Sequence, residues 1–417
     1  MLNKLKLNRG SFNNPFAALK HPNFRYYWLG MCISLVGTWM QNIAQPWLAY
    51  SLTKSPLLLS LVGALQFTPM LLFSLFAGVL IDRWPKKRIL LFTQSASMLI
   101  TFTLATLVVL GQVRYWHILV AATVLGVVNT LDMPTRQSFV IELVGKEDLM
   151  NAIALNSSVF NLARVLGPAL AGLVMAWVGV GACFYANAIS FAAVIIGLSL
   201  IKPVAVYRRP SQHNKIGKDI WDGLVYICRN AVLGRTIMIT AIVGTFGMNF
   251  NVLVPVFAKV VLKQQARGFG FLMSFMGVGS FLGAMLVAMM SKTGPKKLML
   301  NVLPSFIAVF LILTGCSRQF LFTGLGMALT GLSFVAFSST ANSTMQLNTK
   351  DEYRGRVMSV YTLVFGGLTP IGSLYAGWIT DRFGPQVGFW ACGGIVVLLG
   401  SLLLVWRKKK ERHARRA

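Results

Sequence analysis

Residues 78–88 read GVLIDRWPKKR. A long apolar run ends there in Asp82, and four bases follow at Arg83, Lys86, Lys87 and Arg88. A tight basic turn between two apolar stretches is what a short loop between two membrane-spanning helices looks like. Bases hold such a turn beside anionic headgroups.

The rest of the chain agrees. Of 417 residues, 55% are hydrophobic and only 12% are charged, against roughly 25% charged in soluble domains. Mean hydropathy is +0.65. These values describe an integral membrane protein and exclude a soluble domain. The net charge of +28 does not indicate nucleic acid, because the bases lie between apolar segments. Cys32, Cys183, Cys228, Cys316 and Cys392 form no CxxC pair, so neither a disulfide framework nor a zinc site is indicated. The first apolar run is too long for a signal-peptide core and is expected as a retained helix.

Twelve apolar segments are legible: 26–50, 57–81, 89–111, 115–135, 151–178, 182–201, 236–258, 269–291, 298–316, 320–342, 357–380 and 386–406. Helices are expected, since backbone polar groups in lipid must bond within their own segment. The short alternating strands of a β-barrel are absent. With both termini on one side, 31 Lys and Arg lie in connections on that side and 7 on the other; Arg164 lies inside a segment. The bias predicts cytoplasmic termini.

The longest connection, 202–235, divides the segments six and six, and its DIWDGLVYICRN reads as a surface amphipathic helix. VGKEDLMNAI before segment 5 echoes NTKDEYRGRV before segment 11, and DRWPKKR echoes SKTGPKKLM. The expected architecture is all-α: twelve transmembrane helices in two pseudo-symmetric six-helix bundles. The expected divisions are an N-terminal segment 1–25, bundles 26–201 and 236–406, a linker 202–235 and a basic tail 407–417.

Arg164 is the sharpest single residue. It lies about 20 Å along its helix from Asn151, near mid-membrane, where an Arg costs at least about 2.5 kcal/mol. No acid occupies the middle of any segment. Either Arg164 meets an anionic substrate, or it bonds helix carbonyls and Asn or Ser side chains. Thr38, Gln41, Asn42 and Gln45 share one helix face, as do Ser157, Asn161 and Arg164; Gln66 and Asn249 are further polar positions. Such residues line a pathway or join helices, and for the first stripe lining is expected. No HExxH, GxSxG or phosphate loop is present, and His21, His117, His213 and His413 are scattered. Neither an enzyme nor a cofactor is expected.

Several stretches resemble the major facilitator superfamily. Gly78, Asp82, Arg83, Lys87 and Arg88 fit its signature loop between helices 2 and 3, with Pro85 where the family often has Gly. The resemblance implies a latch: Asp82 faces the N-terminal end of helix 11, Arg83 pairs with Asp132, and the latch favours the outward-facing state. Gly167-Pro168 with Ala171-Gly172 resembles the helix 5 motif of drug–proton antiporters, Ala171 replacing a Gly. Residues 129–172 and 354–377 are similar to the branch of the enterobactin exporter and macrolide-efflux proteins.

This branch implies a monomeric inner-membrane transporter that exports a small amphipathic aromatic compound, a siderophore or drug, by proton-coupled alternating access. The absence of a mid-membrane acid leaves the coupling group open: Asp132, Asp381, the substrate's own charge, or another ion. Lipid or lysolipid transport and a non-transporting sensor are the alternatives.

Overall fold

A computed structural model describes residues 15–202, 216–290 and 297–414. Among the described residues every extended element is an α-helix. The first bundle holds α1 (Pro22–Thr53), α2 (Pro56–Arg83), α3 (Lys86–Val109), α4 (Tyr115–Val144), α5 (Leu149–Trp177) and α6 (Val180–Leu200). A surface helix, α7 (Ile216–Arg229), follows. The second bundle holds α8 (Ala231–Phe246), α9 (Phe250–Val260), α10 (Ala266–Met289), α11 (Lys297–Cys316), α12 (Phe320–Leu347), α13 (Asp351–Gly367), α14 (Thr369–Phe383) and α15 (Pro385–Ala414).

Two expected spans are broken. The seventh divides into α8 and α9 around Asn249, and the eleventh into α13 and α14 at Leu368. Pro370 opens α14 without a backbone N–H to continue the ladder. The breaks adjoin: a Cβ on Gly372 would lie 3.2 Å from Asn249 Oδ1 and would collide with the Thr245 carbonyl. Pro46 and Pro168 sit inside α1 and α5, the counterparts in the first bundle, which remain continuous.

With α8–α9 and α13–α14 each taken as one span, twelve spans result. Eleven are long and apolar enough to cross a membrane by composition. The twelfth, α1, has 32 residues but carries Gln41, Asn42 and Gln45; it packs on α5 and α6 inside the first bundle. An even number of spans puts both ends of the chain on one face, here called the terminal end, opposite the far end. Large apolar side chains such as Ile33, Phe92, Leu99, Ile189 and Phe322 are exposed on the perimeter, as a lipid-facing surface requires.

The bundles meet chiefly through α5 with α10 and α2 with α14. The pairing has a two-fold logic: span 5 meets span 8, and span 11 meets span 2. Helix α4 also continues past the expected end at 135, so Arg136 and Glu142 are helical rather than loop residues. The second bundle starts at Ala231 rather than 236, because Asn230 caps α8 by accepting from Val232 and Leu233 N–H.

Candidate functional site

The two bundles touch along only part of their length. On α5, one helical stripe runs Ile153, Ser157, Phe160, Arg164, Pro168, Ala171, Met175. Beyond Arg164 towards the far end, Pro168, Ala171 and Met175 are buried; towards the terminal end, Ile153, Ser157 and Phe160 are exposed. Across the boundary, α10 presents Gly270, Ser274 and Gly277. A Cβ on Gly270 would stand 2.6 Å from Gly172 Cα, and one on Gly277 would stand 2.6 Å from the Arg164 carbonyl. Ser274 Oγ donates to the Val165 carbonyl at 3.1 Å. Absent side chains let these two backbones approach. The same gradient marks the other seam: Gly377 packs on Ser60, whereas Ser359 and Thr362 on α13 are exposed and Gly355 has open space. The far end is closed, and the terminal half parts into a cleft.

Two layers close the far end. Asp381, at the end of α14, accepts from Ser55 Oγ at 2.8 Å and from Leu57 N–H at 3.4 Å. A carboxylate of one bundle thereby caps the positive N-terminus of a helix in the other. Deeper in, Trp47 of α1 stacks on Phe269 of α10 at 5.7 Å, and Lys259 Nζ of α9 lies 5.5 Å from the rings of Trp47 and Tyr50. None of these pairs is legible as a pair in the sequence, since each joins residues over two hundred positions apart. The only sequence signal is small residues at Gly270, Ser274 and Gly277, which share an α10 face.

Arg164 stands where the closed half ends. Its guanidinium carbon lies 5.7 Å from the Trp39 ring and 5.8 Å from the Phe160 ring, and its Nε is buried with no hydrogen-bond partner. Trp39 and Phe160 meet edge-on at 5.7 Å. Phe160 is 38% exposed, and half-buried Asn161 donates to the Ser157 carbonyl at 2.8 Å. Gly167 lets α5 lie directly against the Trp39 backbone and Cβ. The GPxxAG stretch thus does two things: Gly167 seats α1 with its indole beside Arg164, and Gly172 seats α10. A cation with an unused donor, framed by two aromatic faces, is suited to an anionic group on an aromatic molecule.

The helix 1 stripe divides. Gln41 and Gln45 are buried, and Gln41 Oε1 accepts from Asn187 Nδ2 at 2.6 Å and Thr101 Oγ1 at 3.2 Å. Gln41 thereby ties α1 to α3 and α6 rather than lining a pathway, because in lipid an amide finds its partner on a neighbouring helix, and Gln45 accepts from Gln41 Nε2 at 3.5 Å within α1. Thr38 and Asn42 are half-buried, as is Gln66. Asn249 is buried at the α8–α9 break; it donates to the Thr245 carbonyl at 2.9 Å, and its Oδ1 has no partner.

The signature loop lies at the terminal end. The Asp82 side chain and the packing around Gly78 lie outside the described residues. Arg83 and Arg88 are exposed, and Lys87 Nζ donates to the Ile201 carbonyl at 2.8 Å. Asp132 is 4% exposed and accepts from Thr93 Oγ1 at 2.6 Å and Gln94 Nε2 at 2.7 Å, with Arg136 as its ion-pair partner. That pairing replaces the expected one with Arg83, because continued helix places Arg136 one turn from Asp132. Lys86 pairs with Glu142 in the same region.

Residues 13–415 match the model of the transmembrane secretion effector family, a major facilitator family. The chain belongs to that family. It is 27% identical over 378 residues to the staphyloferrin A transporter of Staphylococcus aureus, covering 86% of this chain and 90% of the relative. It is 24% identical to the multidrug efflux pump Tap of Mycolicibacterium fortuitum over 90% of this chain and 93% of that one. To the enterobactin exporter EntS of Escherichia coli it is 24% identical, over 96% and 95%. Among solved structures, a bacterial homolog of the human lysosomal transporter Spinster, inward-facing and occupied, superposes with TM-score 0.70 at 12% identity, covering 96% of this chain and 98% of that one. The nucleoside transporter NupG gives 0.74 at 12% identity, covering 93% and 98%. This secretion-effector family member is a multi-pass membrane transporter, not an enzyme, and its fold is the major facilitator fold.

Proposed function

We propose that this transporter is a secondary active exporter of a small, amphipathic, aromatic compound of the siderophore or drug class, working by alternating access. The observation that carries the proposal is Arg164, with its unused Nε between Trp39 and Phe160 at the head of the cleft. The relatives named for staphyloferrin A, enterobactin and multidrug transport support that substrate class. Within it, the guanidinium favours an anionic siderophore over a cationic drug. Thr38, Asn42, Gln66 and Asn161 are assigned to the pathway around it.

The positive-inside bias supports a cytoplasmic terminal end, in a bacterial inner membrane, and on that reading the cleft opens inward. Export requires the Asp381–Ser55 cap, the Trp47–Phe269 stack and the α5–α10 seam to part while the terminal end closes. Gly78, Asp82, Arg83, Lys87 and Arg88 are assigned to the latch of that second state. Proton coupling is proposed with it. Binding to purified protein tests the reading, by thermal shift with catecholate and carboxylate siderophores against macrolides and cationic dyes. Siderophore stabilisation that disappears in Arg164→Ala is expected. Stabilisation by macrolides or dyes alone, surviving the substitution, contradicts it.

A further inference from the structure

Helix α7 has two unlike faces. Asp222, Gly223, Tyr226 and Ile227 face the second bundle. Asp222 pairs with Arg356 at 3.2 Å, Tyr226 stacks on Tyr353 with centroids 4.4 Å apart, and a Cβ on Gly223 would stand 3.0 Å from the Arg356 carbonyl. The opposite face, at helical spacing, carries Trp221, Leu224 and Cys228, all exposed, Trp221 by 66%. The helix links the end of α6 to the start of α8, so it lies at the membrane boundary. A Trp-bearing apolar stripe at that depth is covered by lipid.

Beside it is a hollow of about 580 Å³ lined by Tyr226, Arg229, Asn230, Ala231, Val232, Lys350 and Tyr353. Its walls are electropositive. Helix α13 starts just after Lys350 with no side chain capping it, so one free helix N-terminus opens there, while the α8 N-terminus at Ala231 is already taken up by Asn230. Arg229 and Lys350 are exposed and have no ion-pair partner among the described residues. Tyr226 Oη accepts from Lys350 N–H at 3.3 Å, which leaves its own O–H free to donate. Glu352, in the first turn of α13, is not part of the lining.

We propose that this hollow binds the phosphate of one anionic phospholipid, whose acyl chains run along Trp221 and Leu224. Because α7 is clamped to α13 by the Asp222–Arg356 pair and the tyrosine stack, the lipid is held against the terminal half of span 11. The site is independent of the substrate cleft, so it stands whatever the transported compound is.

The test is lipid retention by the full-length protein in native mass spectrometry, after reconstitution with phosphatidylglycerol or phosphatidylcholine. One phosphatidylglycerol is expected to survive where phosphatidylcholine is lost. Arg229→Gln and Lys350→Gln should each weaken retention about fivefold, and together about 30-fold. Arg229→Lys should retain the lipid, and the far-end control Lys54→Gln/Arg114→Gln should behave as wild type. Should the double variant fold poorly, the two single variants carry the test. Equal retention of both lipids, or undiminished retention in the Gln variants, overturns the proposal. Competition by soluble glycerol phosphate at the same concentration also overturns it, by showing a free-anion site instead.

Discussion

Arg164 and Asp132 are two charges inside the first bundle with opposite environments. Asp132 is fully partnered by Thr93, Gln94 and Arg136, whereas Arg164 has aromatic faces and an unused donor. Removing one partner of a satisfied buried pair leaves the other charge uncompensated. Asp132→Asn should therefore destabilise the first bundle by about 3 kcal/mol, seen as a lower melting temperature in detergent with substrate affinity intact. Unchanged melting would return Asp132 to a purely gating role. Arg164→Ala should lower melting only slightly, since its side chain makes no described hydrogen bond and loses only its contacts with the Trp39 and Phe160 rings, worth about 1 kcal/mol. It should weaken an anionic substrate by about tenfold to a hundredfold, the worth of a charge-assisted hydrogen bond. Equal affinity in Arg164→Ala, measured by calorimetry, would make its role one of packing.

Between elements, the α5–α10 seam depends on missing side chains. Gly270→Leu would press a side chain into Gly172 and should force the far end apart at a cost of about 1–3 kcal/mol. Greater labelling of a cysteine placed at Ser274 by a membrane-impermeant thiol reagent checks this; unchanged labelling contradicts it. The terminal strap is a second element-scale device. The 3₁₀ turn Ala17–Lys20 is tied to α5 by Lys20 and His21 on Asp148, both at 2.8 Å. Hydrogen bonds from Lys20 and His21 hold the Asp148 carboxyl below the ordinary carboxylate range, and Asp148 raises Lys20. A depressed carboxyl stabilises above its unfolded pKa, and that contribution is lost as pH falls through the folded value. The raised Lys20 contributes below its unfolded pKa and loses its contribution above its folded one. Protection of amides 17–21 against exchange, taken relative to the free-chain rate at each pH, should be high between about pH 4 and pH 10 and lower below. Equal protection at pH 3 and pH 7 would rule the strap out as an electrostatic one.

Segment positions were legible because hydropathy and the Gly-Asp-Arg loop are local signals. The breaks at Asn249 and Leu368 were not: Pro255 and Pro370 are visible, but Pro46 and Pro168 look alike and leave their helices continuous. The two breaks meet where Gly372 packs on Thr245, a tertiary contact that hydropathy does not show. Arg164 was legible as an isolated central cation, whereas its rings lay on two faces that only packing brings together. The role expected for Gln41 was lost to Asn187 and Thr101, which hydropathy does not connect to it.

At the scale of the whole molecule, the seams divide the protein into a sealed far half and an open terminal half, with Arg164 between them. Alternating access requires that the seal break once per cycle. The direct test is to lock it. In a cysteine-free background, Ser55→Cys and Asp381→Cys, whose native side chains meet at 2.8 Å, are joined by a short thiol cross-linker. Uptake of a catecholate siderophore and of a macrolide is then followed in inside-out vesicles. The account predicts transport before cross-linking, none after it, and recovery when a cleavable linker is reduced. Transport that continues through the locked protein would contradict it.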